Sequence, residues 1–188
     1  ACVENWVETP RRTSLRVGSA RVEMIEHIMA AFTGLRIDNC EVWVDRPEMP
    51  ACDGSALPVI QALESAGIVG QSAPRPRRIV RDIVRLGTAN SWIEIRPPVA
   101  QGTFLRYQLD YGPDNPIGRQ TYDMVLTPNA FSHELAPCRT FVLQHECEAL
   151  LAQGLGQRAT VRDLLVFGPD GPLANPLRFP DELSLIHI

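Results

Sequence analysis

The chain has 188 residues, of which 45% are hydrophobic, and this length and composition exclude a disordered chain. Its 18 basic and 22 acidic residues give a net charge of −4, which excludes a nucleic-acid binder that works through bulk positive charge. No apolar run reaches the roughly 20 residues of a membrane span. The five cysteines form no CxxC pair, which favours free thiols in a reducing compartment.

The first part of the chain predicts two helices with a strand between them. Apolar residues at positions i, i+3, i+4 and i+7 form one stripe of a helix over residues 22–34. Alternation over residues 40–44 predicts a strand. Ser55 is a candidate N-cap for a second helix, which stops at Gly67.

A stretch at residues 71–78 holds two prolines and no apolar period, and it is a candidate linker. The pattern then changes from helices to strands. The strands predicted beyond it cover residues 79–86, 92–96, 103–109, 119–126 and 163–167, with helices at residues 127–135 and 146–153. A mixture of helices and strands without strict alternation predicts an α+β fold.

The Glu26-His27 pair on the first predicted helix is the clearest candidate for chemistry. Such a pair can place a metal ligand beside a general base on one side of a site. The alternative, a solvated pair on a helix surface, is more common for such a pair taken alone. A catalytic zinc ion needs three protein ligands, and the sequence contains no HExxH, HxxxH or HxxxD pattern. Spacing alone therefore does not assemble a zinc site.

Several motifs, in a fixed order, resemble one enzyme family. They are MIEHIMAAFTGLRIDN at residues 24–39, VDRPEMPACDGSA at 44–56, APCRTF at 136–141, QGL at 153–155 and LRFPDE at 177–182. Together they resemble the UDP-3-O-acyl-N-acetylglucosamine deacetylases, zinc enzymes of the committed step of lipid A synthesis. The resemblance runs from about residue 13 to residue 182 and so covers nearly the whole chain.

The resemblance implies roles for four residues. His27 would be a zinc ligand, and Glu26 would be the general base that acts on the zinc-bound water. Thr140 would donate a hydrogen bond to the developing oxyanion, and Phe141 would line the substrate site and the entrance of an acyl passage. Two alternatives stay open, in which Thr140 caps a turn and Phe141 is a core residue.

The resemblance also implies the domain organisation. The family fold has two α+β domains, each a sheet layered against helices, with a small βαβ insert in the second. Here residues 1–70 would form the C-terminal part of the first domain, 71–78 the linker, 79–182 an incomplete second domain and 142–173 the insert. Asp53 and Gly54 are interpreted as a structural turn.

Residues 183–188 (LSLIHI) fit no element and match what a common sequencing adapter encodes, so we interpret them as a non-native tail. His187 lies in this tail and receives no role. In the family, a His and an Asp four residues apart complete the zinc site after the LRFPDE motif, and the general acid lies further downstream. We therefore expect a fragment that is inactive by itself, from a protein with or without a fused dehydratase domain.

The activity implied is zinc-dependent hydrolysis of UDP-3-O-acyl-N-acetylglucosamine to the free amine and acetate. The resemblance further implies a cytoplasmic monomer with this UDP-linked acylated sugar as its partner, no nucleic acid and no transmembrane segment. The alternative is a non-catalytic α+β paralogue or binding module that has lost the metal-binding helix. A genuine His and Asp four residues apart beyond residue 182 would distinguish the two.

Overall fold

A computed structural model describes residues 2–76, 78–156, 160 and 163–185. Within these residues, short helices lie between four small β-sheets. This mixture confirms the predicted α+β fold. None of the described helices combines the length and the apolar character that a membrane crossing needs.

The first sheet is antiparallel and was not predicted. Its strands are β1 (Trp6–Val7), β2 (Ser14–Val17) and β3 (Ala20–Glu23). A two-residue turn joins β2 to β3, and Gly18 takes the positive φ of +58° that such a turn favours. Helix α1 (Glu26–Gly34) begins at Glu26 rather than at residue 22, because residues 22 and 23 pair with β2 and Met24 turns the chain at a φ of +59°.

The strand predicted at residues 40–44 is wrong. No described strand lies beside this segment to take its backbone hydrogen bonds, and Trp43 is 89% exposed. The free edge of β3 forms its hydrogen bonds with a later segment, residues 47–49. The Glu23 N–H donates to the Pro47 carbonyl at 2.7 Å, and the Met49 N–H donates to the Glu23 carbonyl at 3.0 Å.

Helix α2 (Leu57–Ala66) forms where the sequence predicts it. The Ser55 hydroxyl accepts a hydrogen bond from the Leu57 N–H at 3.3 Å, which satisfies one donor of the first turn. At the other end Gly67 has a φ of +85°, and its N–H bonds back to the Leu63 carbonyl at 3.1 Å. The N-cap is Ala56, one residue later than the predicted Ser55, because the Ala56 carbonyl accepts the first helical hydrogen bond, from the Ile60 N–H at 3.0 Å. The predicted stop at Gly67 is confirmed.

Two antiparallel hairpins follow. They comprise β4 (Val84–Gly87) with β5 (Trp92–Ile95), and β6 (Thr103–Asp110) with β7 (Arg119–Leu126). Three of the predicted strands are thus confirmed nearly to the residue. The strand predicted from residue 79 starts only at Val84, because β5 is four residues long and pairs with no earlier residue.

A short helical segment leads from β7 to the last sheet. Helix α3 (Pro128–Ala130) continues into a wider π-helical turn, Phe131–Leu135, as predicted for residues 127–135. The Thr127 hydroxyl caps α3 by accepting the Ala130 N–H at 3.0 Å.

A βαβ unit follows, as the family resemblance implies. It comprises β8 (Phe141–Leu143), α4 (Gln144–Ala152) and β9 (Leu165–Gly168), with β8 parallel to β9 and β10 (Gly171–Pro172) antiparallel to β9. The insert bounds of 142–173 stay a prediction, and residues 157–159, 161 and 162 of that range lie outside the described residues. So do Arg77 of the predicted linker and residues 186–188 of the predicted tail.

The larger core cluster combines side chains from both sides of the predicted linker. Its buried members are Ala31, Ala56, Ile60, Met124, Phe131, Leu135, Ala136 and Cys138. Close packing explains Gly34 at the end of α1, because a Cβ there would lie 2.2 Å from the Phe131 ring. The two halves of the chain therefore meet at a shared apolar surface.

A second cluster surrounds the βαβ unit. Its buried members are Leu109, Ile117, Phe141, Leu165, Phe167 and Leu183. Leu183 is only 2% exposed, although it is the first residue of the predicted tail. The domain boundaries and the non-native origin of the tail remain predictions.

The thiols are expected to differ sharply in reactivity. Cys138 is buried and its thiol donates to the Glu134 carbonyl at 3.0 Å, whereas Cys2 and Cys40 are exposed. Burial, and to a lesser extent the charge of the Glu182 carboxylate, raise the pKa of Cys138 to about 12. Because the thiolate is the reactive form, a disulfide reagent at pH 8 should modify the exposed thiols quickly and Cys138 only after unfolding. A Cys138→Ala variant identifies the slow phase, and equal rates for Cys138 and Cys40 would contradict this packing.

Candidate active site

The Glu26-His27 pair occupies the first turn of α1, and a short loop before β2 fixes its carboxylate. The Thr13 N–H donates to Glu26 Oε2 at 3.1 Å, and the Thr13 carbonyl accepts the Ile25 N–H at 3.4 Å. Thr13 therefore holds both the side chain of Glu26 and the backbone that leads into the helix.

The His27 side chain is half-buried, and the charges of two carboxylates act on it. Burial lowers the pKa of His27 below its ordinary value, while the charges of Glu26 and Asp53 act in the opposite direction. Only the neutral imidazole binds a metal ion. The environment of His27 thus favours the metal-binding form at neutral pH.

Asp53 belongs to a tight turn that leads into α2. Its Oδ1 accepts hydrogen bonds from the Ser55 N–H at 3.1 Å and the Ser55 hydroxyl at 2.7 Å, and its Oδ2 accepts one from Arg178 Nη2 at 2.6 Å. Burial alone would raise the pKa of Asp53, but these hydrogen bonds outweigh it and the pKa lies below its ordinary value. The interpretation of this segment as a turn agrees with the hydrogen bonds. Its charge nevertheless acts on His27.

Thr140 is attached to the same turn through its backbone. The Thr140 N–H donates to the Gly54 carbonyl at 2.7 Å, and the Thr140 carbonyl accepts the Leu165 N–H at 2.8 Å. Gly54 has a φ of +79°, and a Cβ there would lie 2.2 Å from the Asp163 carbonyl oxygen. The Asp53-Gly54 turn is therefore hydrogen-bonded to Thr140, and the charge of its Asp53 acts on His27, although these two residues are far apart in the sequence.

Phe141 packs inside the second core cluster. It is 6% exposed, and its ring meets those of Tyr111 and Phe167 edge-on, with centroids 5.9 and 6.2 Å away. This placement supports the alternative in which Phe141 is a core residue. Its contact with substrate stays a prediction.

The described residues contain no complete metal site. A catalytic zinc ion takes three protein ligands, and no group of three His, Cys, Asp or Glu in the described part of the chain could hold a metal ion. His27, with its half-buried imidazole beside Glu26, fits the role of one ligand next to a general base. Of the three ligands that a catalytic zinc ion needs, the described residues therefore fit one, His27.

Sequence reasoning missed a set of ion pairs that joins three motifs. Arg139 pairs with Glu182 at 2.7 Å, and Arg178 pairs with Asp53 at 2.6 Å. The partners lie in the APCRTF, LRFPDE and DGSA segments, which the resemblance identifies but whose contacts no spacing rule predicts. Arg139 and Glu182 are 43 positions apart.

Comparison with known proteins gives one consistent family. The family described as LpxC, UDP-3-O-acyl N-acetylglycosamine deacetylase, matches residues 1–185. Proteins named UDP-3-O-acyl-N-acetylglucosamine deacetylase from Brucella ovis, Brucella canis and Brucella suis are each 38% identical over 173 residues. The match covers 90% of this chain and 59% of each relative, so the chain spans less than two thirds of their length. The chain belongs to the UDP-3-O-acyl N-acetylglycosamine deacetylase family.

Proposed function

We propose that the protein carrying this chain removes the N-acetyl group of UDP-3-O-acyl-N-acetylglucosamine, the committed step of lipid A synthesis. The observation that carries the proposal is the Glu26-His27 pair at the start of α1, where the charge of Asp53 acts on His27 and the adjacent Gly54 carbonyl accepts the Thr140 N–H. The names of the Brucella relatives, at 38% identity, support the substrate assignment. We also propose that the protein acts in the cytoplasm as a monomer.

Glu26 is proposed to act as the general base. The hydrogen bond from the Thr13 N–H fixes one carboxylate oxygen, and the carboxylate takes a proton as the water oxygen attacks the acetamide carbon. The carbon–nitrogen bond then breaks, and the nitrogen leaves as an amine after it gains a proton. The products are acetate and the UDP-linked amine.

Thr140 is proposed to stabilise the oxyanion that forms on the acetamide oxygen. Its backbone is held on both sides, by the Gly54 carbonyl at 2.7 Å and the Leu165 N–H at 2.8 Å. A hydroxyl on a fixed backbone donates a hydrogen bond without reorganising during the reaction. Phe141 is proposed to form the wall of the acyl passage beside Tyr111, against which its ring packs at 5.9 Å.

We propose Zn²⁺ as the cofactor, with His27 as one ligand and the others supplied from outside the described residues. When bound, zinc lowers the pKa of its water and polarises the carbonyl. The lowered pKa of His27 keeps its imidazole neutral and available for binding.

Metal removal tests this assignment. The full-length protein should lose acetate release after dialysis against a chelator and regain it with one equivalent of zinc. A His27→Ala variant should bind zinc weakly and stay inactive after zinc is added, while Cys40→Ala, a change at an exposed position, should behave as the unaltered protein does. Full activity in the metal-free protein would contradict the role of zinc. A protein that neither binds zinc nor releases acetate would instead be the non-catalytic module.

A further inference from the structure

The Arg139–Glu182 pair is the most buried ion pair in the described part of the chain. Glu182 is fully buried and Arg139 is 6% exposed. Arg139 Nε donates to Glu182 Oε1 at 2.7 Å and Arg139 Nη2 donates to Oε2 at 3.0 Å, so the guanidinium and carboxylate planes meet in a two-pronged contact. This geometry is specific to Arg, because the ammonium of Lys cannot reproduce the fork.

Backbone groups complete the surroundings of the pair. The Arg139 N–H donates to Glu182 Oε1 at 3.3 Å, and the Arg178 N–H donates to Oε2 at 2.6 Å. Arg139 Nη2 also donates to the Pro176 carbonyl at 2.8 Å. The carboxylate therefore accepts four hydrogen bonds and fixes both the backbone and the side chain of Arg139.

Burial of an ion pair is weak evidence for stability, since desolvation of two charges opposes the attraction between them. The position of this pair indicates a different use. Arg139 directly precedes Thr140, whose own N–H is bonded to Gly54 and whose carbonyl is bonded to Leu165. The pair supplies the third fixed point on this short piece of backbone.

A second ion pair ties the same three segments together. Arg178 donates to Asp53 Oδ2 at 2.6 Å through one guanidinium nitrogen and to the Pro137 carbonyl at 2.8 Å through another. Movement of the segment that carries Glu182 would therefore shift the Asp53-Gly54 turn as well as Arg139. The Arg139–Glu182 pair thus fixes the residue before Thr140, and the Arg178–Asp53 pair fixes the turn whose Gly54 carbonyl accepts the Thr140 N–H.

We propose that Arg139 and Glu182 are positioning residues, which hold the Thr140 hydroxyl where the oxyanion forms. This inference rests on the proposed function. It predicts that loss of the pair lowers kcat, leaves KM unchanged and has no effect once the Thr140 hydroxyl is gone. A pair that only stabilises the fold would lower activity to the same extent with or without that hydroxyl.

A double-mutant cycle in the full-length protein tests the inference. Glu182→Gln keeps the size of the side chain and removes its charge, and it should lower kcat by about 10- to 100-fold, the loss expected from a misplacement of about 1 Å. In a Thr140→Val background the same change should lower kcat by less than about 3-fold, because the coupling between the two residues is then absent. Arg139→Lys should behave as Glu182→Gln does.

The exposed Arg106–Asp123 pair provides a matched control. It has the same two-pronged geometry, at 2.6 and 2.8 Å, on the β6–β7 hairpin. Asp123→Asn should leave kcat unchanged. Equal losses of kcat with and without the Thr140 hydroxyl, or failure of both Glu182→Gln and Arg139→Lys to fold, would overturn the positioning role. An unaltered full-length protein that releases no acetate would instead overturn the proposed function.

Discussion

Replacing Glu26 with Gln is expected to lower kcat by about 100- to 10,000-fold, the range that general-base catalysis contributes. The amide keeps the size of the side chain, and its oxygen can still accept the Thr13 N–H that now bonds to Glu26 Oε2 at 3.1 Å. The fold should therefore survive, while the group that takes the proton is lost. Steady-state kinetics of acetate release and a thermal melt measure the two effects separately.

Glu64 on helix α2 offers the matched control for this change. It is exposed, and in the described part of the chain its side chain accepts one long hydrogen bond, at 3.5 Å, from the Ser132 hydroxyl. Glu64→Gln makes the same chemical change and should leave kcat within about 2-fold of the unaltered protein, since surface substitutions have small effects. If Glu26→Gln were equally harmless, Glu26 would not be the base.

Replacing Gly54 with Ala is expected to reduce both stability and activity. Alanine at a φ of +79° costs about 1–3 kcal/mol of strain. The added Cβ would also lie 2.2 Å from the Asp163 carbonyl oxygen, so backbone must move. Because the Gly54 carbonyl accepts the Thr140 N–H, this movement should displace Thr140 and lower kcat. Chemical denaturation and kinetics of the full-length protein measure the two losses.

Replacing Gly112 with Ala separates the cost of backbone strain from the cost of steric overlap. It has nearly the same φ, +80°, and a Cβ there would have nothing within 4 Å. Gly112→Ala should therefore show the cost of strain alone and an unchanged kcat. Equal destabilisation by the two substitutions, with kcat unaffected in both, would contradict the close packing of the Asp53-Gly54 turn.

Sequence patterns predicted correctly those helices and strands whose start, stop and periodicity depend only on nearby residues. Helix α2 stops at Gly67 as predicted, and the Ser55 hydroxyl accepts a hydrogen bond from its first turn, although the N-cap is Ala56. The strand predicted at residues 40–44 failed because its pattern says nothing about whether a partner strand exists. The β2–β3 hairpin was missed, although a two-residue turn with glycine between two short runs is a recognisable signal.

The candidate site depended far more on family resemblance than on spacing. A Glu-His pair such as Glu26-His27 is common on helix surfaces. Only the family motifs around it favoured a role in catalysis over a solvated surface pair. Thr140 carried no signal of its own. Its place beside the Asp53-Gly54 turn arises from tertiary contacts between distant segments, as does the pairing of Arg139 with Glu182. Such contacts have no sequence period, and so no pattern along the chain predicts them.

Acetate release by the full-length protein tests the central claim most directly. Purified zinc-loaded protein should convert UDP-3-O-acyl-N-acetylglucosamine to acetate and the free amine, and Glu26→Gln should abolish nearly all of this turnover. UDP-N-acetylglucosamine without the 3-O-acyl chain serves as the comparison substrate and should react far more slowly. If the acylated sugar released no acetate from a folded, zinc-loaded protein, the assignment of Glu26, His27 and Thr140 to a deacetylase site would be contradicted.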